Sequence, residues 1–390
     1  NSLCEKYLQI TDAMMMHSIL GERAGKTFCM TYDEQKKMSK EEGLFVHNTD
    51  LVIKAKTLPP SIANIAKDSV WLLGRINKQA VKQFVQDFNP DIVFCHHVFN
   101  FNFWRLERLV RQYTNVPMVA FTGDSEASLD KISYSPLFWI RQFILNRLFK
   151  KHIKMFDHYF TFCEDQARRY EFMSGKPAST LYKCADLPDN FEMKPVGKPI
   201  RLVYAGNIIY NRWETLATLA DALEVINEDG VKMVLDIYTN TQLTPEMAIR
   251  LKNRRSTIVH GRVAPSELVG IYKQADIALH IESFTPKYRL ETKDSFSTKI
   301  VDLMSSTCAI MAICWELHNG LQYLQRENAA ICISDLTQIR DVLQNICNNP
   351  SSIQTYARKA WECGKRNHTR EVIQNHITEV FSQVIQNNTK

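Results

Sequence analysis

Short apolar runs alternate along the chain with longer stretches whose apolar residues return every three or four positions. The first pattern marks buried strands and the second amphipathic helices. In the first half, LVIKAKTL (Leu51 to Leu58), or KTFCMTY just before it, predicts the first clear strand, and DIVFCHHVF, MVAFTGD and HYFTFC predict the next ones. Between them the spacing predicts a long helix over Ala63 to Phe88, stopped by Asn89-Pro90-Asp91. A helix over Trp104 to Tyr113 follows, then a basic helical stretch over Leu137 to Phe156 and a helix in EDQARRYEF. Pro188 to Pro199 interrupts the rhythm with three prolines and few apolar residues, as a linker does. Beyond it, RLVYAG, MVLDIYT, TIVHG, DIALHIES and CAIMAIC predict strands. ETLATLADALEVIN, PEMAIRLKN, PSELVGIYKQA, STKIVDLMSS and the tail Ser351 to Gln386 predict helices. Such alternation implies an α/β fold of parallel sheets with helices on both faces. The expected architecture is two doubly wound, Rossmann-like domains facing a cleft: 1–190 and 200–369, with the terminal helix 370–390 packed back on the first.

Composition narrows the class. A chain of 390 residues suits about two domains. Its 45% apolar and 23% charged residues exclude a largely disordered chain, and 13 glycines and 13 prolines exclude collagen-like material. No apolar stretch approaches the roughly 18 residues that span a bilayer. The opening NSLCEKYLQI is polar and carries Glu5 and Lys6, unlike a signal peptide. Ten cysteines lack any C-x-x-C spacing, and most sit in apolar runs, as small buried hydrophobes of a reducing cytoplasm do. That usage argues against a periplasmic binding protein, a disulfide scaffold or a zinc site. The expected location is cytoplasmic, with a peripheral place at the inner face of the membrane as one of two readings of a basic stretch described below. A net charge of +6 falls short of a dedicated nucleic-acid binder, so no nucleic-acid partner is expected.

Several familiar motifs fail. GERAGKT (Gly21 to Thr27) is one residue short of a phosphate loop and precedes a strand rather than opening a helix, which leaves a plain turn. G-x-G-x-x-G and G-x-S-x-G are absent, removing the usual marks of a dinucleotide dehydrogenase and a serine hydrolase. His96 and His97 are adjacent on a strand and point to opposite faces, so one metal would not readily take both. Asp-x-Asp is absent too, so neither a metal nor any cofactor beyond a co-substrate is expected.

Three pieces carry chemistry. In RLVYAGNIIYNRWET, Gly206 turns the chain after a strand and Asn207 and Arg212 follow in the loop. A guanidinium there suits phosphate oxygens, although a surface arginine at a helix start is an equal reading. In IVHGRV, the turn Gly261, Arg262, Val263 follows a strand, where backbone groups can read a base edge; Glu282 ends the next strand as ordinary punctuation. In DSFSTKIVDLM, Asp294 and Asp302 lie eight residues apart around a polar helix opening with Lys299 in its first turn. Helix-opening N–H groups with a nearby cation form an anion site, and an acid one turn on can accept ribose hydroxyls. Together these suit a nucleoside diphosphate.

In this order and spacing the pieces resemble the donor domain of retaining glycosyltransferases of the GT-B fold, family four (glycosyl transferases group 1) in particular. The family's glutamate–seven residues–glutamate pattern stands here as D-S-F-S-T-K-I-V-D, with both acids shortened. Its G-R-L-x-x-x-K turn stands as G-N-I-I-Y-N-R, Asn207 replacing the arginine and Arg212 the lysine. The likeness spans about Arg201 to Ala312 and is weaker over Asp91 to Asp186. It implies that Arg212 and Lys299 neutralise the diphosphate of a nucleoside diphosphate sugar. Gly206, Asn207 and the N–H groups of Phe296, Ser297 and Thr298 would line that site. Asp302 would hold the ribose, Asp294 would sit near the transferred sugar, and Gly261, Arg262 and Val263 would meet the base. On the acceptor side it implies Asp124 as the leading sugar-contact group and His97 second, with a helix cap an equal reading of Asp124. The stretch Lys131 to Phe156 contains no acid and interleaves six basic residues with Phe138, Trp139, Phe143 and Phe149. It reads either as a packed helix with a solvated basic face or as a surface for anionic membrane, which would fit a glycan or lipid-linked acceptor in surface polysaccharide synthesis. A nucleotide-sugar epimerase of the same fold and a non-catalytic binding module are the competing expectations.

Overall fold

A computed structural model describes residues 4–31, 59–96, 99–123, 125, 127–252 and 254–389. β1 (Lys6–Gln9) was not expected from its polar sequence; it pairs antiparallel with β2 (Lys26–Cys29), the KTFC run, on either side of α1 (Asp12–His17). The alternative first strand, Leu51 to Leu58, lies outside the described residues. GERAGKT is a turn leading into β2, and no helix opens from it.

The single long helix expected over Ala63 to Phe88 is instead two, α2 (Pro60–Leu73) and α3 (Lys78–Phe88). The break has a steric cause. Gly74 turns extended against α1, and a Cβ there would lie 2.7 Å from the Met15 carbonyl oxygen and 2.8 Å from that of Val70. The freed Arg75 N–H donates to Ser18 Oγ at 2.8 Å, so the turn satisfies itself.

Four parallel strands follow in the order β3 (Val93–His96), β4 (Met118–Thr122), β5 (His158–Thr161) and β6 (Ala178–Thr180). They are connected by α4 (Phe101–Arg111), α5 (Pro136–His152) and α6 (Glu164–Ser174). The second sheet has six parallel strands, β7 (Ile200–Ala205), β8 (Met233–Tyr238), β9 (Thr257–His260), β10 (Ile277–Ile281), β11 (Ala309–Ile313) and β12 (Ile331–Ile333). Their connections include α7 (Arg212–Ile226), α8 (Pro245–Lys252), α9 (Pro265–Gln274), α10 (Pro286–Thr292), α11 (Thr298–Ser305) and α12 (Asn319–Arg326). α10 interrupts a segment that carries no strong apolar period and was not expected. Alternate strand residues fill two cores. Leu202, Leu235, Leu279 and Met311 pack with Leu216, Leu219 and Leu223 of α7, while Val203, Ala278 and Ala312 pack with Ile300, Val301 and Met304 of α11. Burial on both faces explains why these strands read as unbroken apolar runs.

The spatial order is β12-β11-β10-β7-β8-β9. The chain therefore winds one way from β7 and the other way from β10, and the neighbours β7 and β10 form the topological switch point. In sheets of this kind the crevice beyond such a point is where ligands bind.

After α13 (Ile339–Asn348), the tail forms α14 (Ser351–Asn367) and α15 (Arg370–Thr389) rather than one helix. Val380 and Val384 of α15 pack on Val119, Phe160 and Leu181 of the first sheet, and Asn388 Nδ2 donates to the Asn115 carbonyl oxygen at 3.3 Å. His368, at the break, shares a 2.7 Å hydrogen bond with the Tyr323 hydroxyl.

Burial lowers both His158 and His368 from the ordinary 6.5 to about 4, with His376 adding to the shift at His158. Below about pH 6.5 the unfolded chain binds protons that the native chain refuses. Stability is therefore complete above pH 6.5 and falls as pH drops toward 4, by about 1.4 kcal/mol per pH unit for each group. Denaturant midpoints across this window should show that fall, and His158→Gln should reduce its slope by about half.

Candidate functional site

At the switch point the chain turns after β7 through Gly206, whose φ is +153°. A Cβ there would lie 1.8 Å from Lys299 Nζ, so a glycine is what lets the lysine lie across the strand end. Lys299, the second residue of α11, extends over the Tyr204 ring with Nζ 5.4 Å from its centroid. Tyr210 and Asn211 both take left-handed backbone conformations (φ 58° and 57°), and this strained corner delivers Arg212 as the first residue of α7.

Arg212 does not stand free. Its Nε and Nη2 donate to the two carboxylate oxygens of Glu282 at 3.0 and 2.9 Å. Glu282 follows β10 directly and is 4% exposed; its carbonyl oxygen accepts from Thr215 Oγ1 at 2.9 Å. Burial by itself would lower the guanidinium's pKa, but the charge and hydrogen bonds of Glu282 outweigh it and the net shift is upward. Lys299 moves the other way. Burial lowers it first and the positive charge of Arg212 adds to this, against a smaller pull from Glu282 and Asp302. One cation is neutralised by its neighbour and the other is left seeking an anion.

Arg212 and Asp294 meet in a cavity of about 700 Å³. Tyr210, Lys287, Lys293 and Ser295 line it on the same side, and Ser125, Ser128, Lys131, Ser135 and Phe138 line it from the first-sheet side. Asp294 Oδ2 accepts from Ser125 Oγ and from Arg169 Nη2, each at 2.6 Å, while its buried Oδ1 has no partner. Asp302 is paired with Lys183 Nζ at 2.5 Å on the exposed side of α11. Lys299 and Asp302 do not line the cavity among the described residues.

The remaining expected positions divide. Asn207 is exposed, and its carbonyl accepts from the Tyr204 hydroxyl at 2.6 Å. Ser297 precedes α11 and Thr298 begins it. The Phe296 ring instead turns into the core against Tyr182 (4.8 Å) and Tyr323 (5.3 Å), leaving its backbone as the part able to face a ligand. Gly261 and Arg262 are exposed and Val263 is half-buried, in the loop after the edge strand β9. Asp124 and His97 lie outside the described residues. Sequence reasoning did not find Arg169, Ser125 or Lys183, because each meets its acid only across a large separation in the chain. Glu282 was visible as the end of a strand but not as the partner of Arg212.

The electrostatics predict opposite effects for two substitutions. Lys299→Met should raise stability by about 0.5–2 kcal/mol, since it removes a cation that the fold confines beside another. Glu282→Ala should lower it by about 3–5 kcal/mol by leaving Arg212 unpaired. Denaturant unfolding of both variants checks the signs.

Comparison with known proteins bears on the fold. Residues 208–377 match the family model described as "Glycosyl transferase-like". No curated protein sequence matches the chain. Among solved structures, the chain is similar to sucrose-phosphate synthase from Thermosynechococcus elongatus (13% identity, TM-score 0.59, covering 85% of this chain and 81% of that one). It is also similar to Anabaena HepE in complex with UDP-glucose (13% identity, TM-score 0.55, covering 78% and 82%). A third likeness is to α,α-trehalose 6-phosphate synthase from Burkholderia multivorans (10% identity, TM-score 0.54, covering 83% and 77%). The α/β fold of parallel sheets expected from the sequence is thus the GT-B fold shared by these enzymes.

Proposed function

We propose that the chain is a retaining glycosyltransferase that moves a sugar from a nucleoside diphosphate sugar to a glycan or lipid-linked acceptor. The observation that carries this reading is the pair Arg212 and Lys299 at the β7–β10 switch point. Two cations are confined there beside a helix start, and one of them lacks a full counter-charge. A diphosphate gains negative charge as its bond to the sugar breaks, and fixed cations in a partly desolvated site stabilise that change without reorganising. Lys299 and the N–H groups opening α11 would take the diphosphate, with Arg212 held in place by Glu282. Asp302 would exchange Lys183 for the ribose hydroxyls. Asp294 would sit near the transferred sugar, with Ser125 and Arg169 holding its Oδ2. Gly261, Arg262 and Val263 would meet the base, and Asp124 and His97 the acceptor. No metal is needed in this scheme, because Lys299 and the N–H groups opening α11 carry the positive charge beside the Arg212–Glu282 pair. The donor domain would be 200–369 and the acceptor domain 1–190, with the terminal helix returning to the latter.

The HepE structure holds UDP-glucose, which supports a nucleotide sugar as the donor class. A second reading has one specific support: Arg212, Asp294 and Asp302 all have protein partners, as in a module that binds without transferring. Thermal shift with a panel of nucleoside diphosphates and their sugars, on the native chain and Lys299→Ala, separates the readings when followed by a transfer assay. A base-selective rise, about 2.7 kcal/mol at a hundredfold excess over Kd, should vanish in Lys299→Ala. Absence of any nucleotide shift would sink the donor site. Binding without turnover would select the module.

The acceptor reading draws on α5. Its residues Gln142, Leu145, Phe149 and His152 are buried, yet the opposite face shows Leu137, Ile140, Phe143 and Ile144 to solvent. Arg147, Lys150, Lys151 and Lys154 are exposed beside them. A helix with one face in the core and a second apolar face rimmed by cations suits an anionic bilayer surface, at about 1 kcal/mol per basic residue. No helix among the described residues is long and apolar enough to cross a membrane. Sedimentation with phosphatidylglycerol vesicles should capture the chain, and Ile140→Glu with Phe143→Glu should release it. Equal binding to neutral phosphatidylcholine vesicles would remove the electrostatic part of the argument.

A further inference from the structure

Behind the Arg212–Glu282 pair lies a group of side chains that the proposed reaction does not use. His280 on β10, Cys314 just past β11 and His318 before α12 are 3%, 0% and 1% exposed. Their ring nitrogens and sulfur lie within 4.8 Å of one another. His280 Nε2 and His318 Nδ1 have no hydrogen-bond partner, although both are enclosed. The two rings do not bond to each other: their centroids are 5.7 Å apart and the planes are tilted by 47°. The Cys314 thiol makes a long contact, 4.0 Å, to the His280 carbonyl oxygen, and its sulfur also meets the Glu282 backbone N–H. Buried polar atoms in folded proteins nearly always have partners, so two orphaned imidazole nitrogens within one buried cluster need an explanation.

The backbone holds this arrangement firmly. His280 is fixed by the sheet, and Cys314 N–H donates to Ile333 O at 3.1 Å. The turn Trp315 to His318 closes through His318 N–H to Trp315 O at 2.9 Å. Gly320 makes room for the His318 ring, since a Cβ there would lie 3.1 Å from Cε1.

We propose that His280, Cys314 and His318 form a buried site for one thiophilic d10 cation, Zn²⁺ or Cu⁺. Two imidazole nitrogens and a sulfur are the donor set such ions select. Ligand bonds of about 2.0–2.3 Å would place the donor atoms roughly 3–4 Å apart, against the 4.8 Å within which they lie here. On binding, Cys314 loses its S–H proton to solvent and the sulfur bonds the ion. The resulting thiolate offsets charge in a neighbourhood that holds Arg212 and Lys299 as well as Glu282. The ion would tie the ends of β10 and β11 to the start of α12, bracing the wall from which Glu282 holds Arg212. It would take no part in sugar transfer, so this inference stands apart from the proposed activity.

The test uses the full chain. Elemental analysis after purification should find about one zinc or copper per chain, and which metal is found distinguishes the two. After chelation, added Co²⁺ should produce a sulfur-to-cobalt charge-transfer band in the near ultraviolet, with saturation at about one equivalent. Cys314→Ser should abolish the band, His280→Gln and His318→Gln should each weaken metal affinity at least tenfold, and chelation should lower the Tm of the native chain. A metal-free chain whose Tm ignores both chelator and added zinc would overturn the site and leave the pocket to water. A cobalt band that survives Cys314→Ser would also overturn it, assigning the metal to an exposed thiol such as Cys4 or Cys29. Elemental content and the chelator response are read on the native chain, so they decide the question even if a variant fails to fold.

Discussion

The reversal of winding between β7 and β10 is the constraint on which the rest of the site depends. Parallel strands send their carboxyl ends the same way, and the reversal leaves the loops after β7 and β10 diverging around a crevice. Gly206 and Glu282 stand on its two sides. Because no side chain fits at Gly206, Lys299 can lie there. Because Glu282 is buried at the end of a central strand, Arg212 is drawn to it. The two cations then share a small, partly desolvated volume in which only one has a full counter-charge. The fold disfavours the charged form of Lys299, and a bound anion would relieve that cost.

A second consequence concerns how the two sheets meet. Arg169–Asp294, Lys183–Asp302, Arg326–Glu164 and Lys293–Asp130 each join a residue of the first half to one of the second. Three of these pairs are largely exposed and contribute little to stability one by one. Arg169–Asp294 differs, since the Asp294 side chain is 12% exposed and also accepts from Ser125. The acid is oriented from across the cavity rather than by its own loop. The family resemblance supplies a glutamate at this position, and the shorter aspartate here is met by two partners reaching toward it.

The first sheet shows how burial selects among readings that sequence leaves open. The expected long helix over Ala63 to Phe88 has good period throughout, but Gly74 must pass close to α1 and the chain bends there. In α5 both faces are apolar, so periodicity by itself did not say which one packs. Contact with Asp68 through Arg141, and the seating of Phe149 and His152 in the core, settle the orientation.

The strand and helix alternation, the irregular segment over Pro188 to Pro199, the glycine turn at Gly206 and the polar opening of α11 were all legible in the sequence. Each is a property of residues adjacent in the chain: period, turn chemistry and helix start act over a few positions. The order of the three motif pieces also pointed to the GT-B fold. What the tertiary structure alone decided is which charges pair. Arg212 and Glu282 are 70 residues apart, and Ser125 and Asp294 are 169 apart. His280, Cys314 and His318 come together only because β10 and β11 are neighbours in the sheet and the following turn folds back. A residue's period does not encode its distant partner. Strand order and the desolvation of buried charge determine that, and both exist only once the chain has closed on itself.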